Sequence, residues 1–202
     1  IDALKDKLVN INTIEHFQKG VVLPAYEKVF FKSTESFQCT GIENISSDNN
    51  YMFIANHRDI VLDACCMNYY LVQSQMDTME VTFGSNLMQD ELIIDLGKCN
   101  KMFKINRGGD AREFYKQSLV VSQYMRDCIT NRHQSVWIAQ RNGRTKDGND
   151  RTTHSVLKMF ALSSDKPFVD NLAELNIVPI TVSYEYEPCD IKKARELFIS
   201  RT

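Results

Sequence analysis

The sequence predicts an α/β domain whose mixed, largely parallel sheet is flanked by helices. Three observations carry that expectation. Short apolar runs of strand length alternate along the chain with segments of helical periodicity. The 202 residues are enough for one such domain and short for two. Three polar blocks, N-H-R-D, N-R-G-G-D and Q-R-N-G-R-T-K-D, each directly follow a predicted strand. In a parallel sheet all three lie on one rim, beyond the carboxyl ends of the strands, where such folds bind ligands.

Leu4, Leu8, Ile11, Ile14 and Phe17 recur at helical spacing, which predicts helix over the first thirty residues with an interruption near Gly20 to Pro24. S-F-Q-C-T-G-I is expected as a short strand. Y-M-F-I-A (51–55) reads as a buried strand, and Asp59 then stands as an N-cap candidate for a following helix. M-E-V-T-F-G is the next strand, followed by a helix over Gln89 to Leu96 and the strand K-M-F-K-I-N. A long amphipathic helix from Asp110 to about Asn131 carries Phe114, Val121, Met125 and Cys128 on one face. S-V-W-I-A (135–139) is again a buried strand, with a helix near His154 to Leu162 after its polar loop. I-V-P-I-T-V-S-Y-E-Y is the last strand, and Asp190 caps a closing helix. The division is residues 1–34 as a helical segment and 35–202 as the main domain. The chain starts at Ile1 without Met and stops at Thr202 within a predicted helix, the pattern of a trimmed chain.

Apolar content of 43% and charged content of 25% are those of a soluble globular protein. A net charge of −2 gives no overall pull toward nucleic acid or anionic membrane, so an anion site must come from local Lys and Arg. Six cysteines show no C-x-x-C and no zinc-ligand spacing. Cys65, Cys66 and Cys128 lie in apolar stretches as buried thiols, and a reduced set favours the cytoplasm. No apolar run approaches the roughly 20 residues of a membrane span, and no signal peptide is visible. Phe17, Val21, Val22, Phe30 and Phe31 of the first helix have two readings, docking on a membrane face or packing on the domain.

N-H-R-D-I-V-L-D (56–63) invites comparison with the protein-kinase loop H-R-D-L-x-x-x-N. The kinase Asn position holds Ala64, no D-F-G or A-P-E follows, and only Gly20 and Gly41 precede His57 to make a phosphate loop. Acyl transfer from a thioester to a hydroxyl asks for fewer parts: a base, a carboxylate that holds the base in one tautomer, and oxyanion donors. His57 behind a buried strand suits the base, with Asp59 and Asp63 both near enough to orient it. A phosphate-bearing acceptor adds a need for Arg or Lys, met by Arg107 and by the cluster Arg141, Arg144, Lys146 and Arg151. Ser85 lacks a G-x-S-x-G context and reads as a turn residue. His16, His133 and His154 have no carboxylate at ligand spacing, and Trp137 reads as core.

Four ordered blocks across roughly residues 35 to 188 resemble the phospholipid/glycerol acyltransferases, which include 1-acylglycerol-3-phosphate acyltransferase. F-I-A-N-H-R-D-I-V-L-D resembles the first family block, which makes His57 the base. F-K-I-N-R resembles F-x-x-x-R, which makes Arg107 a phosphate ligand. Q-R-N-G-R-T-K-D stands in the place of E-G-T-R-S and resembles a bacterial Q-R-E-G-R-x-K-D. That aligns Asn142 with the family Glu and keeps Gly143 and Arg144 in register, with Arg141 beside them. I-V-P-I-T-V-S-Y resembles the fourth block, whose Pro179 position shapes the acyl-donor pocket in the family. Two departures stand out. The family Asp lies five residues after the His, at Leu62 here, so Asp63 is one residue late and Asp59 competes with it; the capping role of Asp59 favours Asp63 as the orienter. Asn142 also removes a carboxylate from the acceptor site.

The resemblance implies an O-acyltransferase of glycerophospholipid synthesis in a glycerol-3-phosphate acyltransferase-like α/β fold. Its co-substrate would be acyl-CoA or acyl-carrier protein, its acceptor a glycerol phosphate or lysophospholipid. Neither metal nor other cofactor is implied, and nucleic acid is not a partner. The expected place is the cytoplasm, extending to a peripheral position on the inner membrane face. The alternatives are an impaired acyl- or lipid-binding protein of the same fold and a thioesterase.

Overall fold

A computed structural model describes residues 8–106 and 108–200. Five strands, β1 (Met52–Ala55), β2 (Glu80–Gly84), β3 (Met102–Ile105), β4 (Val136–Ala139) and β5 (Ile177–Ile180), form one sheet in the order β3-β2-β4-β1-β5. Every pairing is parallel, so the mixed character expected from sequence is absent from the described sheet. β1 is an interior strand between β4 and β5, and all four of its residues are buried because helices cover both faces of the sheet. β5 is an edge strand, which tolerates Pro179 opposite Ile54.

Eight α-helices surround the sheet among the described residues. α1 (Ile14–Phe17) and α2 (Leu23–Ser33) flank a π-helical turn over Gln18–Val22. The remainder are α3 (Leu62–Gln73), α4 (Glu91–Cys99), α5 (Ala111–Thr130), α6 (His154–Ala161), α7 (Phe168–Ala173) and α8 (Asp190–Ser200). The interruption expected at Gly20 to Pro24 is that π turn rather than a break. The Leu23 N–H reaches back five residues to the Gln18 carbonyl, and the wider turn admits Pro24 without ending the helix. Asp90 and Asp110 cap α4 and α5, accepting from Leu92 N–H at 2.8 Å and Glu113 N–H at 2.8 Å.

Strand parity sorts the core. Tyr51, Phe53, Ala55, Val81 and Trp137 face α3 with Ala64, Met67 and Leu71. Met52, Ile54, Val136 and Ile138 face α5 and α6 with Met125, Cys128, Ile129 and Phe160. α4 lies on the α3 side, where Gly97 packs against Met102. Phe53 has no exposure, so Phe53→Ala is expected to cost about 3–5 kcal/mol, read as a lower urea midpoint.

Three local expectations need correction. S-F-Q-C-T-G-I is not a strand: Phe37 stacks on Phe30 at 4.6 Å and its carbonyl accepts from Tyr70 Oη at 2.8 Å, which ties it to helices instead of the sheet. Phe114 is exposed, because the buried stripe of α5 runs through Ser122, Met125, Cys128 and Ile129 nearer its carboxyl end. The last strand stops at Ile180, where Asn56 takes over the pairing with Val182. Six residues long, α7 is too short to have declared itself by periodicity.

Candidate active site

β1 and β4 are neighbours, yet their outgoing connections leave over opposite faces: β1 through α3 and β4 through α6 and α7. Such a reversal opens a crevice at the carboxyl ends of the two strands. His57 stands on the β1 side of that crevice and the loop 140–153 on the β4 side. A separate polar cavity of about 240 Å³, between residues 47–50, 76–77 and 133–135, lies at the opposite end of the sheet.

His57 is held from several directions. Preceding it, the Asn56 side chain donates to the Val182 carbonyl at 2.9 Å and accepts the Val182 N–H at 2.8 Å, pinning the end of β1. The His57 N–H donates to Asp150 Oδ2 at 2.6 Å, and its carbonyl accepts from Thr145 N–H at 2.8 Å, so the β4 loop grips this peptide on both sides. The imidazole meets the Trp137 ring edge-on at a centroid distance of 5.9 Å. Its Nδ1 lies 3.1 Å from Asp63 Oδ2. Asp63 is the residue on the ring, and Asp59 is not. Asp59 Oδ1 instead accepts the N–H groups of Val61 and Leu62, both at 2.9 Å, in an Asx turn just ahead of α3, whose N-cap is Val61 rather than the expected Asp59.

Asp63 is wholly buried and fully occupied. Its Oδ2 accepts from Arg58 N–H at 2.7 Å and Asp59 N–H at 3.0 Å as well as from the ring, while Oδ1 accepts from the Tyr184 hydroxyl at 2.9 Å. With Asp63 Oδ2 set to accept the ring N–H, the hydrogen bond selects the Nδ1–H tautomer of His57. Nε2 is then a free lone pair. It makes no hydrogen bond among the described residues, and the side chain keeps 11% of its surface exposed. A histidine so held can take a proton from a hydroxyl brought to Nε2.

The loop after β4 is ordered by its own side chains. Gln140 bonds the Asp150 carbonyl at 3.0 Å and accepts from Thr152 at 2.9 Å, and Lys146 pairs with Glu196. Gly143 takes φ +77°, which a side chain would strain. Arg144 is half-buried next to the buried Thr145, with no hydrogen bond or ion pair among the described residues. An unpaired guanidinium in a crevice suits an anionic ligand.

Residues 36–183 match the family model for acyltransferases. The chain belongs to that family. No individual curated protein matches it. In this acyltransferase the three polar blocks read from sequence all follow parallel strands and share one rim of the sheet. Arg107 itself lies outside the described residues. Arg141 donates to the Asn149 carbonyl at 3.4 Å, so it serves its own loop, whereas Asn142 is exposed and Pro179 is exposed on the sheet edge. Ser85 opens a short 3-10 turn, His16 lies beside Asn12, His133 lines the cavity at the opposite end of the sheet, and His154 opens α6 directly after the 140–153 loop. Cys66 and Cys128 are buried, while Cys65 is half-buried against the Tyr26 hydroxyl. Burial pushes the Cys66 thiol up to about 12 and Cys128 up to about 11.

Four residues around the crevice escaped the sequence reading: Asn56, Thr145, Asp150 and Tyr184. Only Asn56 had a local signal, its place beside His57. The others reach the turn from 88 or more positions away, and no periodicity encodes such contacts. Asp150 Oδ1 is buried with no hydrogen-bond partner among the described residues, so one acceptor beside His57 stays open.

Proposed function

We propose that this acyltransferase moves a fatty acyl group from acyl-CoA or acyl-carrier protein to a hydroxyl of a glycerol phosphate or lysophospholipid. The observation that carries the proposal is the His57–Asp63 pair at 3.1 Å, with Nε2 unpartnered and directed away from a buried carboxylate. The acceptor hydroxyl gives its proton to Nε2 as its oxygen attacks the thioester carbonyl. The tetrahedral intermediate collapses, the C–S bond breaks, and the imidazolium returns the proton to the departing thiolate. The protein supplies no nucleophile, so no acyl-enzyme accumulates. Arg144, together with Arg107, holds the acceptor phosphate by charge-assisted hydrogen bonds. Arg141 and the backbone at Gly143 support that loop, Asn142 offers a neutral contact to the glycerol part, and Pro179 borders the donor side. Among the described residues no helix is long and apolar enough to cross a membrane, which suits a peripheral approach to lipid acceptors.

The test is thiol release from acyl-CoA, measured with and without a panel of glycerol phosphate and lysophospholipid acceptors. Release that depends on a phosphate-bearing acceptor, with appearance of the acylated lipid, supports transfer. Acceptor-independent release identifies a thioesterase. Acyl-CoA binding without release identifies a binding protein, the reading that Asn142 in place of a carboxylate favours. Arg144→Ala is expected to raise KM for phosphate-bearing acceptors roughly 10- to 100-fold while sparing the thioester KM and phosphate-free acceptors.

A further inference from the structure

The His57 turn is also gripped by residues that lie beyond the end of the family match at residue 183. Tyr184 donates to Asp63 Oδ1 at 2.9 Å. Glu187 pairs with the Arg58 guanidinium, and buried Lys193 pairs with Glu187 while donating to the Arg58 carbonyl at 2.6 Å. One turn further along α8, Glu196 pairs with Lys146 of the Arg144 loop. A single stretch from 184 to 196 therefore touches the carboxylate, the residue after the histidine and the predicted phosphate loop.

We propose that Tyr184 is a positioning residue for the His57–Asp63 pair, and that residues 184–196 form a strap holding this pair and the 140–151 loop in register. The inference rests on His57 as the base. Asp63 Oδ2 already carries the ring N–H and two backbone N–H groups, all on one side of the carboxylate. Among the described residues Oδ1 has one donor, the Tyr184 hydroxyl, and this bond fixes the plane of the carboxylate and spreads its charge over both oxygens. Burial, followed by the Asp63 charge, holds the Tyr184 phenol well above its ordinary range, so it remains a donor throughout the pH range of an assay. The arrangement adds a third member behind the pair, supplied by a segment 121 positions downstream.

Tyr184→Phe removes the donor and keeps the ring. The titratable groups around the imidazole are then Asp63 from α3 with Asp59 beside it, Asp150 from the β4 loop, and Cys66 behind Asp63. Without the hydroxyl, more of the carboxylate charge rests on Oδ2 and the imidazolium is better stabilised. The free base therefore appears at higher pH, and the acid limb of kcat/KM moves upward. The expected kcat loss is roughly tenfold, with the thioester KM unchanged. In the whole chain labelled with 15N-histidine, the four histidines give few signals and His57→Ala assigns the relevant one. The His57 ring nitrogens should titrate at higher pH in Tyr184→Phe, with His16, His133 and His154 unmoved.

An unmoved acid limb together with an unmoved His57 titration overturns the proposal, even if the urea midpoint falls, because that is what a purely structural tyrosine would do. Should the wild-type chain transfer no acyl group, the function proposed above fails while the NMR titration still decides the role of Tyr184. If Tyr184→Phe does not fold, wild-type chain labelled at tyrosine Cζ replaces it. The Tyr184 signal must then shift in step with His57, and a flat Tyr184 signal overturns the proposal.

Discussion

His57→Ala is expected to lower kcat/KM for acyl transfer by about 10⁴-fold while leaving thioester binding intact. The substitution removes a group that, among the described residues, has both an unpartnered lone pair and a carboxylate behind it. The fold should survive, since Asp63 keeps three of its four donors: Arg58 N–H, Asp59 N–H and the Tyr184 hydroxyl. Loss of activity with an unchanged urea midpoint is the expected pairing. Full transfer by His57→Ala would remove this residue from the chemistry and with it the proposed mechanism.

Asp63→Asn is expected to cost less, roughly a hundredfold in kcat/KM. The surroundings of Asp63 dictate how an amide would sit. Three donors face Oδ2, so the amide oxygen would turn to them and the NH₂ group would face the Tyr184 oxygen, which can accept. The imidazole would then keep its Nδ1–H partner and its tautomer, but the imidazolium formed during transfer would lose the charge that stabilises it. Asp63→Ala differs in kind. It strands two part-buried backbone N–H groups and the Tyr184 hydroxyl, and is expected to destabilise the fold by about 3 kcal/mol. Measuring activity and urea midpoint for both variants separates lost charge from lost structure. An Asp63→Asn enzyme as active as wild type would show that the carboxylate charge takes no part in catalysis.

Much of the local architecture is legible in one dimension. β1 and β4 are runs of apolar residues too short for helices and too continuous for an exposed strand, so their burial follows from composition. Asp90 and Asp110 fix where their helices begin through local carboxylate-to-amide bonds, although the sequence pattern places the start of the first of these helices at Gln89, one residue ahead of its cap. The misread stretch around Phe37 has the composition of a strand, but its aromatic ring finds Phe30 and Tyr70 closer than any strand edge. Phe114 satisfies helical periodicity, and only the reach of the sheet beneath α5 decides that its end of the stripe stays exposed.

The sequence by itself determined the α/β class, the strands that precede the polar blocks, the histidine at the end of β1 and the arginines after β4. Tertiary structure alone decided the strand order, and with it the β1/β4 crevice that brings His57 and Arg144 to one rim. It also decided which aspartate meets the ring. One residue along a helix turns a side chain by about 100°, so Leu62, Asp63 and Asp59 could not be ranked by spacing without knowing where α3 begins. Helix α3 starts at Leu62 after its N-cap Val61, which turns Asp63 back toward His57 and leaves Asp59 in the turn ahead of the helix. The remaining partners, Thr145, Asp150 and Tyr184, are joined to the turn by hydrogen bonds across 88, 93 and 121 positions of chain. Such contacts exist only once parallel strands have brought distant loops to the same edge.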